Sequence, residues 1–527
     1  MSSVIHQYDK RSGITYAYES CAHWDKTKKR SVAKRTLIGR VDKETGEIVA
    51  TDGRNRKPKK DIRLSEPRCF YGATYLLDAI GEKTGIAADL KNSFPDIYLQ
   101  LLSIAYYLIL EDASPLFRFE KWNRLHYHPC GCDIPSQRSS ELFAAISETD
   151  RMKFFELQGK RSAETEYWCY DTTSISSYSQ NLNQVRRGFN KEHDPFAQLN
   201  LALIFGEKSR LPLYYRKLAG NIPDVKTVRH LLDDLKNIGF ATPKLVMDKG
   251  FFSQDNLNGL FKEHVKFIQA VRLSIAFVRK GLDGIYDDFR SFEWYHVDHA
   301  LYARTIRTEF EYHCCRPYKG DELQEKRRLY IHFYYHPERA AEDETSFDRK
   351  LILLREELET DRRVQSHESL YAEYFEVTKT PKRGIRVAVK ADAVKAAKRY
   401  FGYFALLSNE KMSAMEALNL YRNKDLIEKS FGNLKERLNF RRTLVSSEQS
   451  LNGKLFVQFI ALIYLSYIKK QMEEHHLFKD YTIQGLLDEL DMIECVHIPG
   501  KRLRIAEVLE KHKVLYQAME VPPPTSL

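Results

Sequence analysis

Five short apolar runs decide how this chain is read: YWCYD (167–171), LNLALIF (199–205), PLYYRKLA (212–219), KLVMD (244–248) and KFIQAV (266–271). All are of strand length and rich in aromatic or branched side chains, as strands buried on both faces are. Gly220-Asn221 turns the third run into a segment of helical period, Val225 to Ile238, and a second such segment, Gln254 to Phe261, precedes the last run. Three strands followed by helix, strand, helix and strand predict a mixed sheet of the α/β class. Two of the runs end in aspartates, Asp171 and Asp248, and strand ends are where such sheets place their chemistry. The hydroxyl-rich TTSISSYS follows Asp171, and Lys249-Gly250 follows Asp248.

Downstream, from about 273 to 398, the sequence is charged and strand-rich (FEWYHVD, RTIRTEFEYH, RRLYIHFYYH), with one helical stretch from Ser346 to Glu359. YFALLS (403–408) then returns as a buried strand like KFIQAV, so a strand-rich insertion inside one sheet domain is the simplest account. After it comes Tyr421–Leu438, YRNKDLIEKSFGNLKERL, which reads as one helix. At about 100° per residue, Tyr421, Lys424, Glu428 and Lys435 share one face, and Leu420, Ile427, Phe431, Leu434 and Leu438 share the next. The apolar stripe can dock on a core while the polar stripe lines a cleft. By itself the pattern equally describes a solvated helix with Lys and Glu at i, i+4. Partners for Glu428 elsewhere in the chain decide between the two.

Upstream, GITYAYES (13–20), KRTLIGRVD (34–42) and EIVA (47–50) predict short strands. The basic stretches KTKKRSVAKR (26–35) and RNRKPKKDIR (54–63) suit a phosphate backbone, and suit solvated loops equally well. Helical period follows between Tyr71 and Leu110 and again from Glu141 to Ile146, with Ser136 or Ser139 as a cap. His126, His128, Cys130 and Cys132 crowd HYHPCGCD too closely for a structural zinc site, so a loop is the preferred reading. The tail from Thr482 suggests a small appendage.

A chain of 527 residues predicts about three to four domains, and 43% apolar content is that of a folded protein. A net charge of +11 and a pI near 9.0 tilt the partner toward a polyanion such as nucleic acid. Eight scattered cysteines make no disulfide framework. No secretory segment is read at MSSVIHQYDKR, and LFVQFIALIYLSYI (455–468), interrupted by Gln458 and Ser466, is expected to be a core helix. A soluble cytoplasmic protein, nucleoid-associated when bound to DNA and with no membrane partner, is expected.

Asp171, Asp248 and Glu428 come from three separated elements. Such a set suits two divalent metals about 4 Å apart on a phosphodiester, one activating a water or 3′-hydroxyl and one stabilising the leaving oxygen. Mg²⁺ takes hard oxygen ligands and keeps several waters, so a few carboxylates suffice. Lys424 and Lys435 would neutralise phosphate charge while Tyr421 donates a hydrogen bond.

Together CYDTTSIS (169–176), GFNKEHDP (188–195), LPLYYRKLAGNIPD (211–224), LVMDKGFF (245–252) and the Tyr421 segment resemble bacterial insertion-sequence transposases of the DDE type. The likeness is to the subgroup with a strand-rich insertion and the signature Tyr, two residues, Arg, three residues, Glu, six residues, Lys. Here it reads Tyr421, Lys424, Glu428, Lys435. Lys424 departs from the pattern: charge is kept, but a planar bidentate grip is lost, and Arg422 falls on another helix face. The resemblance spans about 165 to 470. It implies a ribonuclease H-like core, Mg²⁺ or Mn²⁺, cleavage of double-stranded DNA at terminal inverted repeats, and strand transfer by a homodimer synapsing two ends. It also implies that the insertion contacts DNA near the cut and holds a flipped base on an aromatic ring. Trp294 and Tyr295 are candidates by location, a core tryptophan being the plainer reading, and Lys249 joins the DNA-contacting set.

The expected organisation is an N-terminal mixed β/helical DNA-binding region (1–160), the ribonuclease H-like core in two parts (161–272 and 399–475), the insertion (273–398) and a C-terminal appendage (476–527). Two other functions stay open. One is a ribonuclease H-like, structure-selective nuclease without strand transfer; the other is a non-catalytic, transposase-derived DNA-binding protein, although clustered carboxylates facing DNA would bring it no advantage.

Overall fold

The structure, a computed structural model, describes residues 2–25, 30–49, 68–112, 114–162, 166–177, 182–188, 196–238, 243–315, 322–380, 384–432, 435, 437, 438, 442, 443, 447–496 and 503–525. The basic stretch 54–63 and residues 189–195 of GFNKEHDP lie outside them. The chain divides into two compact units, Met1–Pro67 with His497–Lys501, and Arg68–Val496 with Arg502–Leu527. In the first, β1 (Ser2–Asp9), β2 (Ile14–Asp25), β3 (Arg30–Val41) and β4 (Ile48–Val49) form an antiparallel sheet in that order.

The second unit begins with β5 (Arg68–Phe70) and the helices α1 (Gly72–Thr84), α2 (Ile86–Ser93), α3 (Tyr98–Leu110), α4 (Phe119–Leu125), α5 (Ser136–Ala145) and α6 (Glu148–Ser162). Next come β6 (Trp168–Ser177), β7 (Gln198–Gly206), β8 (Pro212–Ala219), α7 (Asp224–Asn237), β9 (Lys244–Met247), α8 (Gln254–Lys262) and β10 (Lys266–Val271). Then follow α9 (Ala276–Asp283), β11 (Tyr295–His296), β12 (Leu301–Cys315), β13 (Glu322–Tyr335), α10 (Pro337–Glu359), α11 (Glu368–Tyr374), β14 (Phe375–Thr380), β15 (Gly384–Val389) and α12 (Ala391–Lys398). The remainder comprises β16 (Tyr403–Ser408), α13 (Ala414–Arg422), α14 (Asp425–Gly432), β17 (Arg442–Thr443), α15 (Glu448–Glu474), α16 (Ile483–Asp491), β18 (Glu494–Val496), β19 (Arg504–Ile505) and α17 (Glu510–Ala518).

The large sheet runs β11-β12-β13-β16-β10-β9-β6-β7-β8, with β17 beside β6. Strands β6, β9 and β10 are parallel, β7 runs antiparallel to β6, β8 antiparallel to β7, and β16 lies antiparallel on β10. Strands β6 and β7 are buried along their whole lengths, β7 as an apolar run and β6 with its hydroxyl-rich second half. This is a mixed α/β architecture with a large mixed sheet, consistent with a ribonuclease H-like core. β13 pairs with β16, so the strands between 295 and 335 continue the same sheet. Residues 337–398 instead gather around their own small core of Leu354, Leu358, Tyr371, Tyr374 and Phe375.

The stretch from 273 to 398 is more helical than its sequence suggests. Helix α10 starts at Pro337, well before Ser346, with the His336 ring accepting the Arg339 N–H at 3.3 Å. PERAAEDE carries a Pro-led helix start but no apolar stripe to announce it.

Helix α15 is long and apolar enough to cross a membrane, yet its apolar window is 89% buried inside the protein. The helices upstream of β6 and the elements after α15 share its core: β18 pairs with β5, and the Tyr516 hydroxyl donates to Gly72 O at 2.8 Å. Both histidines of HYHPCGCD are engaged there. His126 Nε2 meets Asp491 Oδ2 at 3.0 Å, while His128 meets Ser103 Oγ at 3.0 Å and Asn123 Oδ1 at 2.7 Å. Burial pulls His128 down to about 4, so its ring is neutral near pH 7.

Where α15 crosses α5, Gly453 permits backbone contact: a Cβ there would lie 2.2 Å from Phe143 O and 2.5 Å from its Cα. Gly453→Ala is expected to lower stability by about 1–3 kcal/mol, read as a fall in the denaturant midpoint. An unchanged midpoint would show that the two helices do not meet at this glycine.

Candidate active site

Strands β6 and β9 run in parallel register, Trp168 beside Leu245, Cys169 beside Val246 and Tyr170 beside Met247. Asp171 and Asp248 each lie one residue beyond the last pair, on neighbouring strands about 4.8 Å apart. Asp171 is buried, and its Oδ1 accepts the Thr172 N–H at 2.7 Å. Asp248 is half-buried where β9 gives way to the turn Lys249–Phe251, a turn anchored by Phe251 against the Tyr170 ring at 5.1 Å.

The segment from Tyr421 to Leu438 is not one helix. Helix α13 ends at Arg422 and α14 begins at Asp425, and between them Lys424 N–H donates to Tyr421 O at 3.0 Å and Ile427 N–H to Lys424 O at 2.9 Å. Asn423 stands at the break, a poor helix former whose amide donates to Glu207 Oε1 at 2.6 Å. Helix α13 packs on β9 and β10, and α14 packs on β6 and β7. Ile427, Phe431 and Leu438 are buried as their stripe requires, while Leu434 lies outside the described residues.

The break delivers two polar groups into the carboxylates. The Tyr421 hydroxyl donates to Asp248 Oδ1 at 2.8 Å. Lys424 Nζ stands 3.7 Å from Asp248 Oδ2 and 3.3 Å from Glu428 Oε1. Burial alone would pull the Lys424 ammonium down, but the charges of Asp248, Asp171 and Glu428 outweigh it and push it up, so it stays protonated. Burial, then the same three carboxylates, raise the Tyr421 phenol and keep it a neutral donor. Against burial, which would raise it, Tyr421, Lys424 and Lys249 together hold Asp248 below the usual carboxylate range. The structure thus gathers Asp171, Asp248 and Glu428 around one ammonium and one phenol.

Asp171 and Asp248 offer hard oxygen donors at strand ends, and Glu428 on α14 lies on the solvent side, its side chain 57% exposed. Their chemistry fits Mg²⁺. Among the described residues no three His, Cys, Asp or Glu side chains close to a metal-ligand cluster, and the Lys424 ammonium holds the place between Asp248 and Glu428.

Lys249 is exposed on the turn after Asp248, and Lys435 lies beyond the end of α14, half-buried. Trp294 is no core tryptophan. It is half-buried with the Arg304 guanidinium 4.9 Å from its ring, beside Phe292 and Tyr295, which are 86% and 40% exposed.

A groove of about 820 Å³ opens beside Asp248, lined by Lys249, Arg272, Arg339, Tyr421 and Arg422 among others. Although about 100° from Tyr421 around α13, Arg422 lines the same groove, its Nη1 3.0 Å from His299 Nδ1 in the loop that carries Trp294. Arg272 and Arg339 carried no local signal and reach the groove only through the fold.

The transposase DDE domain family matches residues 166–464, more than half of the chain, and the chain belongs to that family. Comparison with curated proteins gives no match. Among solved structures, a piggyBac transposase synaptic complex with hairpin DNA is similar at 11% identity over 79% of this chain and 70% of that chain. Its TM-score of 0.33 is too low for the likeness to bear on the site.

Tyr421→Phe removes the donor to Asp248 and should lower stability by about 1 kcal/mol at neutral pH. A depressed carboxylate contributes stability above its unfolded value, here 3.8, that is lost as pH falls through the folded value. The gap between wild type and variant in urea unfolding should therefore shrink below that pH. A gap constant with pH would place the effect elsewhere.

Proposed function

We propose that this protein is a transposase of an insertion sequence. It binds the terminal inverted repeats in double-stranded DNA, cuts the strand by metal-dependent phosphodiester hydrolysis, and joins the freed 3′-OH to target DNA. One observation carries the reading: within the stretch matched by the family, Asp171, Asp248 and Glu428 converge on Lys424 and Tyr421.

Asp171, Asp248 and Glu428 would hold two Mg²⁺ ions, with Mn²⁺ as substitute. When bound, these ions supply charge neutralisation at the scissile phosphate and acidify the attacking water or hydroxyl. Tyr421 fixes the Asp248 carboxylate and keeps its proton. Lys424 offsets the repulsion among the three carboxylates and, with Lys249 and Lys435, neutralises phosphate oxygens. The Arg422 guanidinium supplies beside the groove the planar donor fork that Lys424 lacks. Trp294, backed by Arg304 and flanked by exposed Phe292, offers a stacking platform for an unpaired base near the cut. Residues 1–160 recognise the element ends, and two copies synapse them as a homodimer.

Purified protein with Mg²⁺ should nick DNA at the boundary of the repeats that flank its coding sequence, and should join those ends to a second duplex. Hydrolysis without joining would make it a structure-selective nuclease. Asp171→Asn, Asp248→Asn and Glu428→Gln should each slow nicking at least a hundredfold, about 2.7 kcal/mol of barrier. A Glu428→Gln protein that cuts like wild type removes the catalytic assignment. Arg422→Ala should raise the DNA concentration needed for half-maximal nicking while leaving the saturated rate within about threefold, and an equal fall in both would mean the guanidinium acts in the transition state.

A further inference from the structure

Residues 1–67 hold 16 Lys and Arg against 9 Asp and Glu, a net +7 of the +11 carried by the whole chain. Their described part is a single antiparallel sheet in which only Ala17, Ser20 and Gly39 are buried. Trp24 is 64% exposed, Tyr8 58% and Val4 54%. A sheet gains its stability by covering a face, and this one leaves large apolar side chains in water on both.

The register shows where the sheet becomes an arm. Strand β1 pairs with β2 only as far as Cys21, and β4 pairs with β3 only at Arg40 and Val41. Beyond Cys21 and Lys34, β2 and β3 continue as a two-stranded ribbon, with Ala22, His23, Trp24 and Asp25 opposite Ala33, Val32, Ser31 and Arg30. Each strand is 12 residues, about 40 Å long. A register shift at Ala17/Tyr18 marks a bulge, which strengthens the right-handed twist. Directly opposed residues share a face, so Tyr16, Tyr18 and Trp24 lie on the same side as Gln7, Arg35 and Arg40. Both arginines are exposed there.

We infer that this ribbon is a DNA-reading arm: the Trp24 face of β2 and β3 lies in a groove of double-stranded DNA, with Arg35 and Arg40 on the flanking phosphates. A twisted two-stranded ribbon has the width the major groove admits. Exposed guanidiniums and aromatic rings interleaved on one face are the donors and stacking surfaces that nucleic acid uses. A second copy of the same surface is disfavoured, because self-pairing would set +7 against +7. The inference rests on the transposase reading and narrows end recognition from residues 1–160 to this arm.

The test uses the full-length protein without divalent metal, duplexes made from the DNA flanking the coding sequence, and a scrambled duplex as control. The variant Trp24→Ala/Arg35→Ala/Arg40→Ala should bind the flanking duplex at least about tenfold more weakly, and its log K against log salt slope should fall by about 2, one counterion contact per arginine. Its thermal midpoint should match wild type, since all three side chains are exposed. Unchanged affinity and slope overturn the arm, as does a wild-type dimer that the variant dissociates in the absence of DNA. Nicking of supercoiled DNA with Mn²⁺, present in the variant and absent in Glu428→Gln, reports separately on the transposase reading. Its absence in wild type would sink that reading while leaving the arm's binding result standing.

Discussion

Two carboxylates at the ends of adjacent parallel strands repel each other, and a third brought up from a helix makes the repulsion worse. Among the described residues Lys424 is a group that makes this arrangement tolerable. Its ammonium lies 3.7 Å from Asp248 and 3.3 Å from Glu428 and is raised by the charge of Asp171 as well. Tyr421 adds a neutral donor on Asp248 at 2.8 Å. Much of the local architecture answers to the need to place those two side chains: the break between α13 and α14, the docking of α13 on β9 and β10, and the docking of α14 on β6 and β7.

That arrangement bears on the choice of lysine at position 424. A lysine is a compact point charge on a flexible stem and can settle among three carboxylates, whereas a guanidinium is a planar fork with fixed donor directions. With Lys424 turned inward, Arg422 is left on the groove side, tied to His299 and so to the loop of Trp294. In this reading one cation steadies the metal ligands, and a second faces the nucleic acid.

Much of the sheet was legible because fully buried strands have an unmistakable composition. The five runs from Tyr167 to Val271 and YFALLS all became strands, and YFALLS lies beside KFIQAV. The start of α10 is not legible in the sequence because its first turns are charged and carry no stripe. The break in the Tyr421 segment is not legible because a periodic stripe is blind to a two-residue interruption that preserves the facing of its apolar positions. The exposure of Trp294 is not legible because an aromatic residue in a sequence does not say which side of its backbone is covered.

The sequence by itself determined the class of the sheet, the two aspartates at strand ends, and a glutamate with flanking lysines on an amphipathic segment, because these are properties of residue order and period. Only the tertiary structure decided that Glu428 and Asp248 share Lys424, that Arg422 lines the groove and that Lys435 lies beyond the end of α14. Those facts depend on strand register and on where a helix breaks, and both are set by packing between segments hundreds of residues apart in the chain. The same holds for the N-terminal sheet. Its charge is written in the sequence, but the length by which β2 and β3 outrun their neighbours is fixed by pairing alone.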